Sequence, residues 1–378
     1  MPQRIFLLGA YGQGNIGDEA ILEVFLGELK NWHFSVASSN PEKTEEIYKV
    51  PALDTYGNYK KMLTFLLNSN VIIFGGGSLL KELDPHVTRR WRYSLLFHLL
   101  IGLFLAKLLR RKVVFSAIGV GPLNGPISKI LAKLCLMFVD LVIVRDEVSS
   151  TLLCELGFRY SILGADPALL LVTDEEIAEK KGIENTLKVG ICPVFFVDEK
   201  NTWQSLVETF AEFADYLTEN LEAEVTLLPF QSEHNLFNDL ELNKDILGQI
   251  RNKSKANLLE KVANPRQMLK SIASLDLIVG ARLHSLIFSF LEKKPFLAIT
   301  CDEKVRNFIG DTGLKRYSVE ASELNTEKLE VRFEEVVKDK ERIVSHIENT
   351  LPVMVKRAKL NFKCLRQLLE CEEPRRVP

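Results

Sequence analysis

Short apolar runs alternate along the first half of the chain with longer stretches that mix apolar and polar residues. The runs are rich in Val, Ile, Leu and Phe, a composition typical of buried strands, and the mixed stretches between them are typical of helices. Strands that alternate with helices favour a parallel sheet covered by helices on both faces. The pattern predicts strands at 4–10, 33–39, 71–78, 112–122 and 141–146, with a first helix from about Asp18.

A second alternation of the same kind begins after a polar, charged segment at 173–186, which we interpret as a linker. It predicts a helix at 203–221 and a charged helical segment over the last part of the chain. We therefore expect an α/β protein of two Rossmann-like domains, 1–175 and 186–330, with a cleft between the carboxyl ends of their sheets, and a helical extension at 331–378. The predicted strands of the second half are 187–196, 223–231, 275–281 and 294–300.

One stretch is apolar without a polar face. Tyr93–Leu109 lies between Arg92 and Arg110 and carries only His98 and Lys107 as polar interruptions of note. It is shorter than the roughly 20 residues that a membrane-spanning helix needs. Two interpretations stay open: a core helix of the first domain, or a helix that rests on a membrane surface with its basic flanks as anchors.

Composition narrows the class of protein. The chain has 378 residues, 47% hydrophobic and 26% charged, and its formal net charge is −2, so no global field attracts nucleic acid. The six cysteines include no C-x-x-C pair, which argues against a zinc site or a disulfide framework. The amino terminus leads directly into a strand without the pattern of a signal peptide, and we expect a cytoplasmic protein.

Glycines follow the first predicted strand in the spacing of a dinucleotide fingerprint, at Gly12, Gly14 and Gly17. Asp18 and Glu19 come at the start of the helix, where their charge opposes a pyrophosphate, so NAD binding is disfavoured. Asp18 has two interpretations: a first-turn acid that the helix dipole favours, or a carboxylate that contacts sugar hydroxyls or accepts a proton.

A second glycine loop, Gly75, Gly76, Gly77 and Ser78, follows the strand at 71–78, and "IGVGP" at 118–122 is a third. Consecutive glycines permit a close backbone approach and leave N–H groups for an anion or a sugar oxygen. The loop lacks the Gly-Lys-Ser/Thr ending of a P-loop, so nucleotide hydrolysis is not indicated. We assign the four residues to substrate binding.

Cationic residues follow the predicted strands of both halves. Arg145 comes after 141–144, Arg282 and His284 after 275–281, and Lys304 after 294–300. Residues two apart in an extended segment point the same way, so Arg282 and His284 would reach one ligand. Together the four side chains suit a small anion with several charges. The alternatives are local: ion pairs of Arg145 and Arg282 with nearby acids, a helix cap at His284, and an ordinary surface lysine at 304.

Seven motifs are spread over the chain from about Leu7 to Gly313: "GAYGQGNIGDEAI", "GGGSLL", "GVGP", "VRDEVS", "ADPAL", "GARLHSLIFS" and "DEKVRNF". In these motifs the chain resembles the polysaccharide pyruvyltransferases, in the branch that serves bacterial cell-surface anchoring. One segment departs from the family pattern: where the family often has an arginine after "LKVGI", this chain has "CPVFF" at 192–196.

The resemblance implies a two-domain fold of the glycosyltransferase-B type and transfer of a pyruvyl ketal from phosphoenolpyruvate to a sugar. The implied acceptor is N-acetylmannosamine on a lipid-linked cell-wall glycan precursor, which would bring the enzyme to the cytoplasmic face of the membrane. The family's essential basic residues correspond to Arg145, Arg282, His284 and Lys304. We also assign Asn15, Gly17 and Ser285, which lie in the matching motifs, to substrate binding.

The chemistry agrees with this assignment. Phosphoenolpyruvate carries a phosphate and a carboxylate, which Arg145, Arg282 and Lys304 would hold by charge-assisted hydrogen bonds. Ketal formation needs a proton at the methylene carbon, and we assign its delivery to His284, with Asp18 orienting or deprotonating the acceptor. We expect no metal and no cofactor. Two other functions stay open: a nucleotide-sugar glycosyltransferase of the same fold, and a non-catalytic protein that binds glycan or lipid.

Overall fold

The computed structural model describes residues 3–54, 59–83, 90–171, 186–196, 202–233, 238–262 and 264–370. The chain divides into two compact units, each with its own parallel sheet. The first unit comprises Met1–Gln13, Ile21–Leu170 and Met354–Pro378, and the second comprises Gly14–Ala20 and Leu171–Val353. The short segment Gly14–Ala20 thus belongs with the second unit, although it follows the first strand of the chain.

The first sheet has the order β3-β2-β1-β4-β6-β7-β8, with β5 beside β6, and its strands pair in parallel. The central strands are buried on both faces, which explains their continuous apolar sequences. The strands are β1 (Arg4–Tyr11), β2 (His33–Ser38), β3 (Ala52–Asp54), β4 (Val71–Gly75), β5 (Ser78–Leu80), β6 (Lys112–Val120), β7 (Leu141–Val144) and β8 (Ile162–Leu163).

Helices connect these strands. They are α1 (Ile16–Glu28), α2 (Pro41–Tyr48), α3 (Tyr59–Asn68), α4 (Ser94–Leu108), α5 (Pro126–Leu136) and α6 (Glu147–Glu155). Helix α4 packs on α5 and on β6, and its Leu96, Leu99 and Leu103 enter the core of this unit. Apolar burial of this kind stabilises the layers by roughly 25 cal/mol per Å².

The second sheet is also parallel, in the order β11-β10-β9-β12-β13-β14. Its strands are β9 (Lys188–Cys192), β10 (Glu224–Leu227), β11 (Ala256–Leu258), β12 (Leu277–Gly280), β13 (Phe296–Thr300) and β14 (Ser318–Glu320). The helices are α7 (Trp203–Asn220), α8 (Asp239–Gln249), α9 (Pro265–Ala273), α10 (Leu283–Leu291), α11 (Glu303–Asp311), α12 (Thr326–Lys338) and α13 (Lys340–Glu370). The last of these belongs to the second unit up to Val353 and to the first from Met354.

The architecture confirms the predicted class, an α/β chain with two Rossmann-like sheets and a helical carboxyl-terminal segment. The predicted linker lies almost wholly outside the described residues, and the expected domain limits therefore stay a prediction. Of the described cysteines, which are all free thiols, Cys135 and Cys192 are buried and Cys154 is exposed. No helix within the described ranges has both the length and the apolar character to cross a bilayer.

Candidate active site

The strand order defines where a ligand is expected in each sheet. The chain starts near the middle of the sheet, runs to one edge and then returns to build the other half. The reversal falls between β1 and β4 in the first unit and between β9 and β12 in the second. Parallel α/β sheets bind ligands outside the carboxyl ends of the strands at this point. The glycine loop at 75–77 follows β4, and Arg282 follows β12, so both are close to such a position.

Arg145, a predicted site residue of the first unit, is buried, with 6% of its side chain exposed. It follows β7, and its guanidinium lies 3.6 Å from Asp146 and 3.7 Å from Asp166. Asp146 caps α6 by accepting a hydrogen bond from the Ser149 amide at 2.8 Å. The local alternative from the sequence, an Arg145–Asp146 pair, is therefore present, and Asp166 adds a second carboxylate.

Arg145 also reaches the glycine loop, because its Nη2 donates to Ser78 Oγ at 3.2 Å. Gly119 makes room for this contact, since a Cβ there would lie 3.0 Å from the Arg145 Nη2. The N–H of Gly76 donates to the Ser116 carbonyl at 2.9 Å, so this amide is not one of the free donors that the sequence led us to expect. Gly76 and Gly77 both have positive φ, a backbone conformation that favours glycine.

The motif "GNIGDEA" is anchored on the second unit by its backbone. The Ile16 amide donates to the Phe230 carbonyl at 2.9 Å, and Asn15 forms an antiparallel bridge with Gln231. Asn15 Oδ1 accepts from the Gly17 amide at 2.9 Å, so this side chain caps the start of α1. Asn15 thus has a structural contact beside its predicted role in substrate binding, and Asp18 lies in the first turn of α1.

His284 packs directly on the backbone of Gly17. A Cβ on Gly17 would lie 1.8 Å from His284 Nδ1 and 2.1 Å from Cγ, so only glycine fits against the ring. His284 lies in the first turn of α10 and is 9% exposed. The structure therefore brings together two motifs that are separated by more than half of the chain, "GNIGDEA" and "GARLHS".

Arg282 is held by a carboxylate that the sequence pattern does not single out. Its Nε donates to Asp239 Oδ2 at 3.0 Å and its Nη2 donates to Oδ1 at 2.6 Å. Asp239 is 1% exposed and begins α8, and its Oδ2 also accepts from the amides of Phe230 and Gln231 at 3.2 and 3.0 Å. One buried carboxylate therefore joins Arg282 to the segment on which the "GNIGDEA" motif rests.

Burial and charge act against each other in this pair. Burial raises the pKa of the Asp239 carboxyl, and Arg282 and the two backbone amides partly offset this effect. Burial lowers the pKa of the Arg282 guanidinium, but the Asp239 charge more than compensates, so the pKa lies above its ordinary value. The contact with Asp239 uses two of the five N–H donors of the guanidinium.

The expectation that Arg282 and His284 point the same way was based on an extended segment, and the structure corrects it. Only Arg282 has extended backbone, because α10 begins at Leu283. Ser285, predicted to bind substrate, is fully buried, and its Oγ donates to the Arg282 carbonyl at 2.7 Å. This hydroxyl serves the start of α10 in this structure, and its role in substrate binding stays a prediction.

Lys304 lies in the first turn of α11, 3.2 Å from Asp302, with 41% of its side chain exposed. Asp302 caps the same helix by accepting from the Val305 amide at 2.9 Å. The end of β13 is tied to the end of β12, because Cys301 Sγ donates to the Ala281 carbonyl at 3.2 Å. Lys304 and Arg282 therefore follow neighbouring strands of one sheet.

The predicted cationic residues thus fall into two groups. The first group is Arg145, which contacts Ser78 in the first unit. The second group lies in the second unit after two adjacent strands and consists of Arg282, His284 and Lys304. Each of the three cations also faces at least one carboxylate, which reduces the surplus of positive charge that the sequence indicated. Within the described ranges, no cluster of three or more His, Cys, Asp or Glu side chains has the arrangement of a metal site.

Solved structures share this architecture. HepE of Anabaena, crystallised with UDP-glucose, has a TM-score of 0.61 and 12% identity, covering 97% of this chain and 99% of that one. A putative UDP-N-acetylglucosamine 2-epimerase of Listeria monocytogenes has a TM-score of 0.64 and 9% identity, covering 99% and 98%. The corresponding Neisseria meningitidis enzyme, bound to UDP-GlcNAc, has 0.61 and 10%, covering 96% and 99%. At these identities the likeness concerns the fold, which is of the glycosyltransferase-B type.

No match was found among curated proteins. The model of the polysaccharide pyruvyl transferase family, in contrast, matches residues 15–303. This range starts at the Asn15 cap of α1, ends in the first turn of α11, and contains Arg145, Asp239 and His284. The match extends over about three quarters of the sequence, and the chain belongs to the polysaccharide pyruvyl transferase family.

Proposed function

We propose that this enzyme transfers the pyruvyl group of phosphoenolpyruvate to two hydroxyls of one sugar, forming a cyclic ketal. The contact between His284 and the Gly17 backbone carries the proposal, because it places an imidazole where the two motifs of the second unit meet. Arg282, which Asp239 orients, lies two residues before His284, after the end of β12. An imidazole and a fixed guanidinium at the end of one strand suit a donor that needs both anion binding and proton transfer.

The reaction needs one proton at carbon and the loss of two hydroxyl protons. His284 protonates the methylene carbon of phosphoenolpyruvate, which makes C2 an oxocarbenium-like centre. One sugar hydroxyl adds to C2, the C–O bond to phosphate breaks, and the second hydroxyl closes the ring. In the overall balance, one of the two hydroxyl protons replaces the proton that His284 gave to the new methyl group, and the other leaves on inorganic phosphate.

The remaining residues have supporting roles in this proposal. Arg282 and Lys304 hold the phosphate and carboxylate of the donor in the second unit, and Arg145 supplies a further anion contact beside Ser78. Asp18, in the first turn of α1, orients or deprotonates the acceptor. The acceptor we propose is N-acetylmannosamine on a lipid-linked glycan precursor, handled at the cytoplasmic membrane face without metal or cofactor.

Phosphate release tests the donor and the acceptor together. We expect the full chain to release inorganic phosphate from phosphoenolpyruvate only when an amino-sugar lipid acceptor is present. We also expect phosphoenolpyruvate, and not UDP, to protect the protein against thermal unfolding, since a ligand stabilises the state that it binds. Protection by UDP alone would instead support a nucleotide-sugar glycosyltransferase. HepE, which shares the fold, was crystallised with such a nucleotide sugar, UDP-glucose. Absence of phosphate release with every acceptor would support a binding protein.

Replacing Gly17 by alanine tests whether His284 must stay where it is. The new methyl group would overlap the imidazole, so the ring has to move by more than 1 Å, and a displacement of that size costs about 100-fold in rate. We expect kcat for phosphate release to fall by about that factor. The matched control is Gly27→Ala in the same helix, where a Cβ meets nothing within 4 Å. Equal activity of the two variants would contradict the proposed role of the contact.

A further inference from the structure

Helix α4 exposes an apolar face where a surface helix normally carries polar residues. Its inner face enters the core of the first unit, whereas Phe97, Ile101, Phe104 and Leu108 are 45–68% exposed at the spacing of one helix side. A helix that is apolar on all sides is normally covered on all sides. The core interpretation from the sequence thus holds for one face of the helix, and the membrane interpretation stays a prediction for the exposed face.

The neighbouring helix α5 continues the apolar surface. Its exposed side chains Ile127, Ile130, Leu134 and Met137 also recur on one helix side. The two helices pack together, and Phe104 contacts Phe138, which follows α5, at a centroid distance of 6.0 Å. We call the exposed apolar residues of both helices the α4–α5 face. Contiguous apolar surface of this kind marks a place where a protein or a membrane binds.

The charge around the α4–α5 face is mainly basic. Residues 90–139 contain eight Lys or Arg and no Asp or Glu, in a chain that has 48 basic and 50 acidic residues in all. Arg90 and Arg92 precede α4, Arg110 follows it, and Lys129 and Lys133 stand beside the exposed residues of α5; all five are exposed. Arg92 and Lys107 pair with Glu82 and Asp140, which lie outside this range.

We propose that the α4–α5 face docks on the surface of an anionic lipid bilayer. Apolar side chains would enter the region between headgroups and acyl chains, and the basic residues around them would contact anionic headgroups. A second copy of the chain suits the face poorly, because an isologous dimer would bring the two basic surroundings together. The proposal is independent of the reaction, since it uses residues of the first unit that have no part in it.

Flotation with lipid vesicles tests the proposal. We expect the full chain to bind vesicles of phosphatidylcholine with phosphatidylglycerol at least about tenfold more strongly than vesicles of phosphatidylcholine alone, and added salt to reduce the difference. The triple variant Phe97→Gln, Phe104→Gln, Leu108→Gln is expected to lose at least about tenfold in binding to the anionic vesicles, because three exposed apolar side chains no longer enter the bilayer.

A matched triple variant controls for the loss of surface apolar residues as such. Val331→Gln, Val337→Gln and Val353→Gln remove three exposed apolar side chains of the second unit and its carboxyl-terminal helix, and this protein should float like the wild type. Equal vesicle binding by both triple variants, or no binding by the wild type, would overturn the proposal. The membrane proposal would also be overturned if the wild type sedimented as a dimer that only the α4 variant dissociated, with vesicle binding unchanged. The α4–α5 face would then bind a second copy of the chain.

Discussion

Replacing Asp239 by asparagine is expected to lower the free energy of unfolding of the second unit by about 3–5 kcal/mol, the usual cost of leaving a buried charge without its partner. The carboxylate accepts from Arg282 and from two backbone amides. An amide nitrogen in place of Oδ2 would face three donors, and in place of Oδ1 it would face the Arg282 Nη2. Either orientation leaves donors opposed inside the protein.

Urea unfolding measures this loss when the signal comes from the second unit alone. Trp203, in α7, reports on that unit once Trp32 and Trp91 are replaced by phenylalanine. Glu241→Gln, an exposed acid in the same first turn of α8, is the control and should change stability by less than about 0.5 kcal/mol.

A double-mutant cycle separates the ion pair from the fold around it. Adding Arg282→Gln to Asp239→Asn removes the orphaned charge, so the double variant should be more stable than the sum of the two single losses predicts, by about 1–3 kcal/mol. Additive losses would show that Asp239 stabilises the unit through the amides of Phe230 and Gln231 and not through Arg282.

The sequence predicted the central strands of both sheets because these carry continuous apolar runs. It missed β3, β8, β11 and β14, which have two or three residues each and lie at sheet edges. A strand of that length shows no periodicity, and its apolar residues are too few to stand out from a loop. The order of strands around each reversal point follows from the crossover connections between sequential strands, which is why the class of fold was predictable.

The candidate site was predictable where a residue type is unusual in its surroundings. Arg282 and His284 between apolar elements stood out in this way, whereas Asp239 lies among Glu241 and Asp245 in a polar stretch, with nothing local to distinguish it. Its partner is 43 residues away along the chain. The attachment of Ile16 to Phe230 joins even more distant residues through backbone atoms, which leave no signal in the sequence.

These contacts change what the cationic residues are expected to do. A guanidinium that is fixed by a buried carboxylate offers its remaining donors in one orientation, so Arg282 would bind the donor through position as well as charge. Asp239 is then a positioning residue. The His284 ring differs in its surroundings, since it rests on the backbone of Gly17. Replacing Arg282 and replacing His284 are thus expected to affect binding and catalysis in different ways.

Replacing His284 by glutamine is expected to lower kcat for phosphate release by about 10²–10⁴-fold, the usual contribution of a general acid or base. Glutamine keeps a hydrogen-bonding group but cannot deliver the proton to the methylene carbon. The KM for phosphoenolpyruvate should change little, because the variant keeps Arg282 and Lys304, the proposed anion contacts. Steady-state phosphate release with acceptor present measures both constants, and deuterium from the solvent should appear in the product methyl group of the wild type.

The split between the two constants decides what the imidazole does. If His284 only adds a hydrogen bond to the bound donor, the glutamine variant will keep most of its kcat and show a raised KM, since a uniform binding interaction is then lost. His33→Gln, an exposed histidine at the start of β2, should leave both constants unchanged. An unaltered rate of phosphoenolpyruvate consumption by His284→Ala would remove proton transfer by this residue from the mechanism, and Asp18 would become the next group to test.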